Sequence, residues 1–449
     1  MRVTDLGSRR VAVWGLGREG RAAIQFLRKH HPSLPLVLLD DSADARAPDN
    51  LGENTTCAFG TERIAAVLPE IEVIVKSPGV SLHRHEVRSA RDSGAQITSL
   101  LNLWFSQQLG ITTIGITGTK GKSTTASLIA HILGRLSRNV VLIGNIGVPV
   151  TDIDSATTDY AVVEISSYQA ADFDGVCDVA ALTSLFPEHI DWHLSVERYY
   201  RDKINLLNRS RCRIVACAAA EAVAAIIGAT PPWHQIFNDE NGIHSRGSEI
   251  YDGLQRIGSV RNAYLARAHN TSNLCAALAV LKTLGIAAKP ALRATRDFQG
   301  LPHRQQELGE IGGVLFVDDS ISTIPESTIA ALAVYADRDV TVIVGGYDRG
   351  VDYSKLVEKF ATGAAKAIIC LGASGQRIHA QARAHNVDGA LHEAESMEEA
   401  VSCATRITPP GGVVLLSPAA PSYGYYRDFI ERGRDFAARV GLPAAEGPN

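Results

Sequence analysis

The sequence predicts an α/β protein with three domains, each built around a largely parallel sheet. Three observations support this prediction. At 449 residues, the chain is longer than a single hydrophobic core usually accommodates. Short, continuously apolar segments alternate with amphipathic segments of helical period, which is typical of sheets covered by helices on both faces. Two glycine-rich turns, at 15–20 and 115–121, each follow an apolar strand and precede a helix.

We place the domains at residues 1–109, 110–301 and 302–449. The first and third are predicted to be Rossmann-like, and the central one is predicted to be a parallel sheet of the P-loop ATPase type. In the third domain, four buried strands are expected in the segments GVLFVDDS, VTVIVGG, KAIICLG and GGVVLLSP.

The composition gives no reason to expect a nucleic-acid or membrane partner. Apolar residues make up 45% of the chain and charged residues 20%, which are ordinary values for a globular protein, and the net charge is −4. The seven cysteines are well separated and form no CxxC pair, which suits free thiols in a reducing cytoplasm. Because neither a signal peptide nor an 18-residue apolar stretch is evident, we expect a cytoplasmic protein.

The first glycine turn, GLGREG, has the spacing of a nucleotide-binding turn. It carries Gly15, Gly17 and Gly20, and Asp40 and Asp41 end the next apolar segment. Such a turn can bind the diphosphate of a dinucleotide or of a nucleotide-sugar. An acid at the end of the next strand can accept a hydrogen bond from a ribose hydroxyl or a base N–H. A packed strand–helix turn without a ligand is the alternative, because this pattern alone is weak evidence.

The second turn, GITGTKGKSTT, has the context of a phosphate-binding loop. Backbone N–H groups and the start of the following helix offer a concave anion site. Lys122 would reach the β- and γ-phosphates, and the hydroxyl of Ser123 or Thr124 would reach Mg²⁺. The spacing departs from GxxxxGK[ST], since the first glycine of that pattern would fall on Ile116.

Polar residues at the ends of later segments are further candidates. Glu164 ends an apolar segment, where a carboxylate commonly meets Mg²⁺ at a nucleotide site; a helix-capping acid is the alternative. The segment 186–193, FPEHIDWH, suits either a solvated turn or a metal site, and Lys203 follows His189 by fourteen residues. The Asn270/Asn273 pair, in AHNTSN, is expected on one face at the start of a helix, where capping is the alternative.

The order of these motifs resembles that of the ATP-dependent Mur ligases of cell-wall precursor synthesis. The motifs are GTxGKST, GNIG, ExSSxQ, EHxDxH followed by a lysine, HNxxN, GxPHR, DDS and GG. The resemblance covers essentially the whole chain. It is strongest to the branch that adds glutamate to UDP-N-acetylmuramoyl-L-alanine, which shares SPG at 77–79 and LLSP at 415–418. Peptidoglycan synthesis, and with it cell shape and division, is therefore the expected process.

The resemblance implies that the first glycine turn binds a UDP-sugar and the second binds ATP. The protein is expected to be a monomer that activates a carboxylate as an acyl phosphate. The expected UDP-sugar residues are Gly15, Leu16, Gly17, Asp40, Asp41, Gly79 and Asn145. The expected ATP residues are Gly118, Thr119, Gly121, Lys122, Ser123, Thr124, Asn270, Arg304 and Asp319.

The resemblance also implies two Mg²⁺ ions. Ser123 and Glu164 match the ligands of the first ion, and His189 matches a ligand of the second. Lys203 matches a lysine that is carbamylated in the family, which makes it an anion able to support that metal. Lys122, Glu164, His189 and Lys203 are therefore the expected catalytic residues.

The amino-acid pocket departs from the usual glutamate-adding pattern. The chain reads DDSISTI at 318–324 where NDSKATN is typical, so Ile321 replaces a lysine that holds D-glutamate, and Arg349 replaces a later lysine. This pattern resembles a variant subfamily that adds L-glutamate, which predicts UDP-N-acetylmuramoyl-L-alanyl-L-glutamate, ADP and phosphate as products. The same reaction with D-glutamate is the alternative. The expected acceptor contacts are Thr323, Arg349, Ser422 and Tyr423.

Other classes fit fewer of the motifs. A ligase of the folylpolyglutamate type would lack the domain predicted over 1–109. A P-loop kinase would need neither a third domain nor the His189 and Lys203 pair. An NAD-dependent oxidoreductase would have no use for Lys122. A non-catalytic nucleotide-sugar-binding module would show no ATP turnover even with all substrates present.

Overall fold

The computed structural model describes residues 1–48, 51, 54–107, 110–146, 150, 153–228, 233–387 and 390–443. The chain forms two compact units, Met1–Phe298 and Gln299–Asn449. The first unit contains a five-stranded and a nine-stranded sheet, and the second contains a six-stranded sheet. The predicted α/β fold with three sheets is therefore confirmed, whereas the boundaries at 109/110 and 301/302 stay predictions. No helix in the described ranges is long and apolar enough to cross a membrane.

The first sheet is fully parallel, with the strand order β3-β2-β1-β4-β5. Its central strand is apolar along its whole length and buried on both faces, as expected for a sheet covered by helices. The strands are β1 (Val11–Trp14), β2 (Leu36–Asp40), β3 (Thr55–Phe59), β4 (Val73–Lys76) and β5 (Gln96–Thr98). The helices are α1 (Arg18–His30), α2 (Thr61–Val67), α3 (His85–Asp92) and α4 (Leu100–Phe105).

The first glycine turn brings α1 unusually close to β1. Gly15 has φ of +90°, a conformation that L side chains rarely adopt. A methyl group at Gly20 would overlap the carbonyl oxygen of Gly15, which also accepts a 2.6 Å hydrogen bond from Ser77 Oγ. Glycine is required here for packing, whatever the turn binds.

The second sheet has the order β14-β13-β12-β11-β10-β9-β6-β8-β7, in which β13 pairs antiparallel with both β12 and β14 and the other neighbouring strands pair parallel. Its strands are β6 (Thr112–Thr117), β7 (Val140–Gly144), β8 (Tyr160–Glu164), β9 (Cys177–Leu182), β10 (Ser210–Ala216), β11 (Gln235–Phe237), β12 (Ile243–Arg246), β13 (Glu249–Asp252) and β14 (Gln255–Ser259). Its helices are α5 (Lys122–Arg135), α6 (Ser167–Ala171), α7 (Ile190–His193), α8 (Val196–Asn208), α9 (Ala220–Ile227), α10 (Ala268–Thr283) and α11 (Ala288–Arg293). Both the strand and the helix predicted around the phosphate loop are confirmed.

The third sheet has the order β15-β16-β20-β17-β18-β19, in which β15 alone is antiparallel among the described strands. The four predicted strands are confirmed as β16, β17, β18 and β20. The strands are β15 (Gln306–Ile311), β16 (Val314–Asp318), β17 (Val340–Val344), β18 (Ala367–Leu371), β19 (Ala390–Ala394) and β20 (Val413–Leu416). The helices are α12 (Pro325–Val334), α13 (Ser354–Ala361), α14 (Gly372–Ala384), α15 (Met397–Ile407) and α16 (Phe429–Val440).

Substituting Gly20 tests the close approach of α1 to β1. We expect Gly20→Ala to destabilise the first unit by about 1–3 kcal/mol, because the methyl group has no room. Gly17→Ala is the matched control, since a methyl group there would meet no atom within 4 Å. Thermal unfolding should give a lowered midpoint for Gly20→Ala and a nearly unchanged one for Gly17→Ala. A wild-type midpoint for Gly20→Ala would contradict the packing described.

Candidate active site

The phosphate loop lies between the carboxyl end of β6 and the start of α5. Gly118 and Gly121 have φ of +152° and +85°, so glycine suits both positions. A methyl group at Gly118 would overlap Thr183 Oγ1, and one at Gly121 would overlap Asn273 Oδ1. These neighbours belong to the segment after β9 and to α10. Packing against the loop therefore requires glycine at both positions.

Two lysines converge on one carbonyl group of this loop. Lys122 Nζ donates to Gly118 O at 2.9 Å and to Thr119 O at 3.1 Å. Lys203 Nζ, from α8, donates to the same Gly118 O at 2.8 Å. Lys203 is only 1% exposed, and burial together with the charge of Lys122 holds its pKa well below the usual lysine value. The neutral amine of Lys203 is therefore favoured more than that of a solvated lysine.

Three further residues of the loop and helix start, Thr119, Ser123 and Thr124, are buried in the first unit. Thr119 Oγ1 lies 2.8 Å from Tyr199 OH, which links the loop to α8. Ser123 and Thr124 are buried in the first turn of α5, beside the loop. The start of an α-helix presents backbone N–H groups that can bind an anion at this position.

Glu164 places a carboxylate at the carboxyl end of β8, next to β6. The side chain is 0% exposed, and Oε1 accepts a 3.2 Å hydrogen bond from Asn145 Nδ2. Among the described residues, Oε2 is buried without a hydrogen-bond partner. A buried acceptor without a partner is costly, and a hard cation would satisfy it.

His189 stands at the start of α7 in a left-handed conformation, with φ of +55°. Its ring is half-exposed, and its centroid lies 5.1 Å from that of Tyr168. Burial and the nearby charges of Lys203 and Lys122 lower its pKa, against the opposing effect of Glu188. The neutral imidazole, which is the form that ligates metals, is therefore favoured near neutral pH.

The asparagine pair at the start of α10 lies beside the loop. Asn273 Nδ2 donates to Asn270 Oδ1 at 3.3 Å, which confirms that the two side chains share one face of the helix. Asn270 Nδ2 in turn donates to Tyr264 O at 2.9 Å. Because Asn273 also abuts Gly121, this helix supports the phosphate loop directly.

The carboxylates expected at the UDP-sugar site already have partners. Asp40 Oδ2 accepts from the backbone N–H of Leu16 at 2.9 Å, and Oδ1 accepts from that of Ser42 at 3.1 Å. Asp41 pairs with Arg84 at 2.7 Å, and the Arg84 guanidinium lies 4.8 Å from the ring centroid of Trp14. Sequence reasoning did not single out Arg84, because its partners are distant in the chain.

The first glycine turn adjoins the central sheet. Gly17 precedes α1, and Arg18 Nη2 donates to Gly144 O at 3.1 Å and to Asn145 O at 2.9 Å. Gln169 Nε2, in α6, donates to Glu19 Oε1 at 2.6 Å, and burial raises the pKa of Glu19 to about 7. The turn and Asn145, both expected at the UDP-sugar site, are therefore brought together.

Gly79 lies in the exposed turn after β4, where a side chain would have open space. The last residue of the GNIG motif, Gly147, lies outside the described residues. Glycine at position 79 is thus not demanded by packing, unlike Gly15 and Gly20.

In the second unit, the carboxylate of Asp319 accepts hydrogen bonds from three neighbouring segments of the chain. Its Oδ2 accepts from Ser322 Oγ at 2.6 Å and from Ser417 Oγ at 2.7 Å, and Oδ1 accepts from the N–H of Gln305 at 3.0 Å. Burial raises its pKa to about 6. The half-buried Arg304 lies nearby and partly offsets that rise. In this arrangement Asp319 organises the loops, and its contact with a ribose stays a prediction.

The expected acceptor residues lie on loops after β16, β17 and β20, which meet at one edge of the third sheet. Arg349 Nη2 donates to Thr323 O at 3.1 Å. The N–H of Tyr347 donates to Pro421 O at 2.9 Å, beside the buried Ser422. The ring of Tyr423 is 61% exposed and available to a ligand.

Arg432 is a residue that sequence reasoning missed. Its guanidinium is buried and donates to Ser320 Oγ, Ser320 O and Ala420 O at 2.8–3.0 Å. It therefore ties the loop after β16 to the loop after β20. Nothing in the sequence ERGRDF distinguishes this arginine from the exposed Arg434.

A separate polar cluster contains His83, His193 and Asp202, whose donor atoms lie within 4.8 Å of one another. Two imidazole nitrogens and a carboxylate are a donor set that could hold a metal ion. However, His193 Nδ1 and Asp202 Oδ2 are 2.6 Å apart, which is a direct hydrogen bond. Of the segment FPEHIDWH, His193 joins this cluster, whereas the His189 ring packs near Tyr168.

Comparisons with known proteins give one consistent family. The models that match are the MurD-like N-terminal domain of Mur ligases at 9–99, the Mur ligase middle domain at 116–281 and the Mur ligase glutamate ligase domain at 303–420. A protein from Xanthomonas euvesicatoria pv. vesicatoria, named UDP-N-acetylmuramoyl-L-alanine--L-glutamate ligase, is 40% identical over 463 residues, which cover 99% of this chain and 98% of the relative. A protein of the same name from a Micromonospora strain is 42% identical over 459 residues, 98% of each chain.

Among solved structures, the MurF ligase of Thermotoga maritima in complex with ADP has a similar fold, with a TM-score of 0.53 and 17% identity. The similarity covers 97% of this chain and 98% of that one. The three domain matches occur in the expected order, and the relatives are 40–42% identical over nearly their full length. Both findings agree with the geometry of the phosphate loop. The chain belongs to the Mur ligase family of ATP-dependent amide ligases.

Proposed function

We propose that this protein joins L-glutamate to the alanine carboxylate of UDP-N-acetylmuramoyl-L-alanine and converts ATP to ADP and phosphate. The observation that carries the proposal is the arrangement around the phosphate loop. Lys122 and Lys203 converge there near Glu164, whose buried Oε2 has no hydrogen-bond partner among the described residues. The near-full-length relatives named for this reaction support the choice of substrates.

The reaction needs a leaving group better than hydroxide. A carboxylate oxygen of the alanine attacks the γ-phosphorus of ATP, the bond to the β–γ bridging oxygen breaks, and ADP leaves. The glutamate amine then attacks the acyl carbon, loses a proton and expels inorganic phosphate. Both steps require the protein chiefly to place the reactants and to neutralise charge.

The proposed ATP site uses the phosphate loop and the first turn of α5. Lys122, already folded against the loop, needs only to turn from Gly118 O toward the β- and γ-phosphates. The N–H groups at the start of α5 stabilise the phosphate charge. The residues assigned to ATP are Gly118, Thr119, Gly121, Lys122, Ser123, Thr124 and Asn270, with Arg304 and Asp319 proposed from the second unit.

The residues of this site suit two Mg²⁺ ions. When bound, such ions neutralise charge on the phosphate oxygens. Ser123 and Glu164 are assigned to one ion, and the unpartnered Oε2 of Glu164 supports that choice. His189, with a lowered pKa, is assigned to the other ion, together with Lys203.

Lys203 is proposed to carry a carbamate. Its lowered pKa favours the free amine, whose lone pair forms a C–N bond to CO₂ with loss of a proton. The product is an anion that offers oxygen ligands, and its remaining N–H can keep the hydrogen bond to Gly118 O. Carbamylation would also remove the repulsion between Lys203 and Lys122.

We assign the UDP-sugar to the first glycine turn and the segments beside it. Asp40 holds the turn through the N–H of Leu16, and Arg18 joins it to the segment of Asn145. The assigned residues are Gly15, Leu16, Gly17, Asp40, Asp41, Gly79 and Asn145. We also propose domain boundaries at 109/110 and 301/302. The protein is proposed to be a monomer and to be located in the cytoplasm.

We propose that the added glutamate is the L enantiomer because of the residues on the acceptor loops. Inverting the stereocentre about a fixed amine exchanges the directions of the α-carboxylate and the side chain, so the group that holds a carboxylate must move. Ile321 carries no charge, whereas Arg349 on the neighbouring loop reaches Thr323 O. We assign the acceptor to Thr323, Arg349, Ser422 and Tyr423.

Removing the loop lysine tests ATP activation. We expect Lys122→Ala to lower kcat by about 100- to 1,000-fold, because charge on the transferring phosphoryl group loses its stabilising partner. Lys282→Ala is the control, since this lysine pairs with Asp252 at the far end of α10. Coupled ADP release with all three substrates measures the effect. Undiminished turnover by Lys122→Ala would contradict the assigned role of the loop.

The two glutamate enantiomers test the acceptor assignment. Losing the partner of a buried carboxylate costs about 2–5 kcal/mol, so we expect L-glutamate to be used at least about 30-fold more efficiently than D-glutamate. The comparison is of kcat/KM with UDP-N-acetylmuramoyl-L-alanine and ATP at saturation. A preference for D-glutamate would overturn the L assignment while leaving the ligase activity intact.

A further inference from the structure

A partly buried hydrogen-bond network connects the segments that carry residues assigned to the metal ions. Asp202 Oδ2 is 2.6 Å from His193 Nδ1 and 3.3 Å from His83 Nε2. On the other side of the same imidazole, His193 Nε2 is 3.1 Å from Ser167 Oγ. We call His83, Ser167, His193 and Asp202 the Asp202 network. The side chain of His193 is completely buried, so its two hydrogen bonds are strongly favoured.

Two members of the network are close in the chain to assigned metal ligands. Ser167 begins α6, three residues after Glu164 at the end of β8. His193 ends the single turn of α7, and its backbone N–H donates to His189 O at 3.1 Å. The bond between His193 and Ser167 therefore joins the segment that carries Glu164 to the one that carries His189.

The third member fixes the orientation of α8. Asp202 directly precedes Lys203, and successive residues of a helix point about 100° apart. Lys203 reaches Gly118 O on one side, while Asp202 reaches His193 on another. Two anchors in different directions prevent α8 from rotating about its axis, so the bond of Asp202 sets where the Lys203 nitrogen lies.

The fourth member extends the network to the first sheet. His83 lies in the segment that follows the SPG turn at 77–79, and its ring packs edge-on against Trp192 at 5.7 Å. In the same segment, Ser81 Oγ donates to Trp192 O at 3.1 Å. The loop after β4 is thus fastened to α7 and α8.

We propose that the Asp202 network positions Glu164, His189 and Lys203 relative to one another for the ligase reaction. Asp202 and His193 are not among the residues assigned to the substrates or metal ions, so their proposed role is that of positioning residues. The inference rests on the proposed function, because it concerns the ligands assigned there. It goes further because it names the groups that fix the distances between Glu164, His189 and Lys203, which come from three separate elements.

The test is Asp202→Asn, which keeps the size of the side chain and removes its charge. Substitutions behind metal ligands typically cost about 10- to 100-fold in metal affinity or activity. We expect kcat to fall by that factor and the Mg²⁺ concentration for half-maximal rate to rise, while KM for glutamate stays near the wild-type value. Glu197→Gln is the control, since it removes a carboxylate from the exposed side of the same helix, where Glu197 pairs with Arg201.

A second variant keeps the test decisive if Asp202→Asn folds poorly. Ser167→Ala removes one hydroxyl from the far end of the network and should shift the Mg²⁺ dependence in the same direction. A purely structural role would lower the unfolding temperature without moving the Mg²⁺ dependence of the folded enzyme. Wild-type kcat and Mg²⁺ dependence in both variants would overturn the inference. Absence of turnover by the wild-type protein would instead overturn the proposed function, so the two failures are distinguishable.

Discussion

The carbonyl group of Gly118 is the point on which the active-site geometry depends. It accepts hydrogen bonds from Lys122 of α5 and from Lys203 of α8, at 2.9 and 2.8 Å. Burial lowers the pKa of Lys203, and repulsion from the charged Lys122 at the same oxygen lowers it further. An anionic ligand at the loop would relieve that repulsion. The structure is thus electrostatically prepared for phosphate before any nucleotide binds.

The rest of the first unit maintains this arrangement by close packing. Strand β6 lies between β8 and β9, so Glu164 and Thr183 stand on either side of the loop that follows β6. Gly118 and Gly121 are in contact with Thr183 and Asn273, which leaves no room for side chains. On the other side, Glu164 presents a buried oxygen that accepts no hydrogen bond from the part of the chain that the structure describes. A phosphate site benefits from donors held in place by close packing, as they are in this loop. A metal site benefits from a buried oxygen such as that of Glu164.

The sequence predicted those features that depend on local pattern. Apolar runs gave the buried strands, and the glycine turns gave both strand–helix junctions. It did not predict β15 and β19, because these edge strands have mixed, partly exposed residues. Nor did it predict the burial of Arg432 or the pairing of Asp41 with Arg84, since both depend on contacts between distant segments. The four residues of the Asp202 network come from three separate parts of the chain. Their contacts therefore could not be predicted from the spacing of residues in the sequence.

The central claim is that a carboxylate is activated by phosphoryl transfer before the peptide bond forms. The most direct measurement uses UDP-N-acetylmuramoyl-L-alanine whose alanine carboxylate carries ¹⁸O in both positions. Turnover with ATP and L-glutamate should transfer one ¹⁸O to each inorganic phosphate released and leave the other in the new amide. Phosphate without ¹⁸O, formed together with the peptide product, would contradict an acyl-phosphate mechanism.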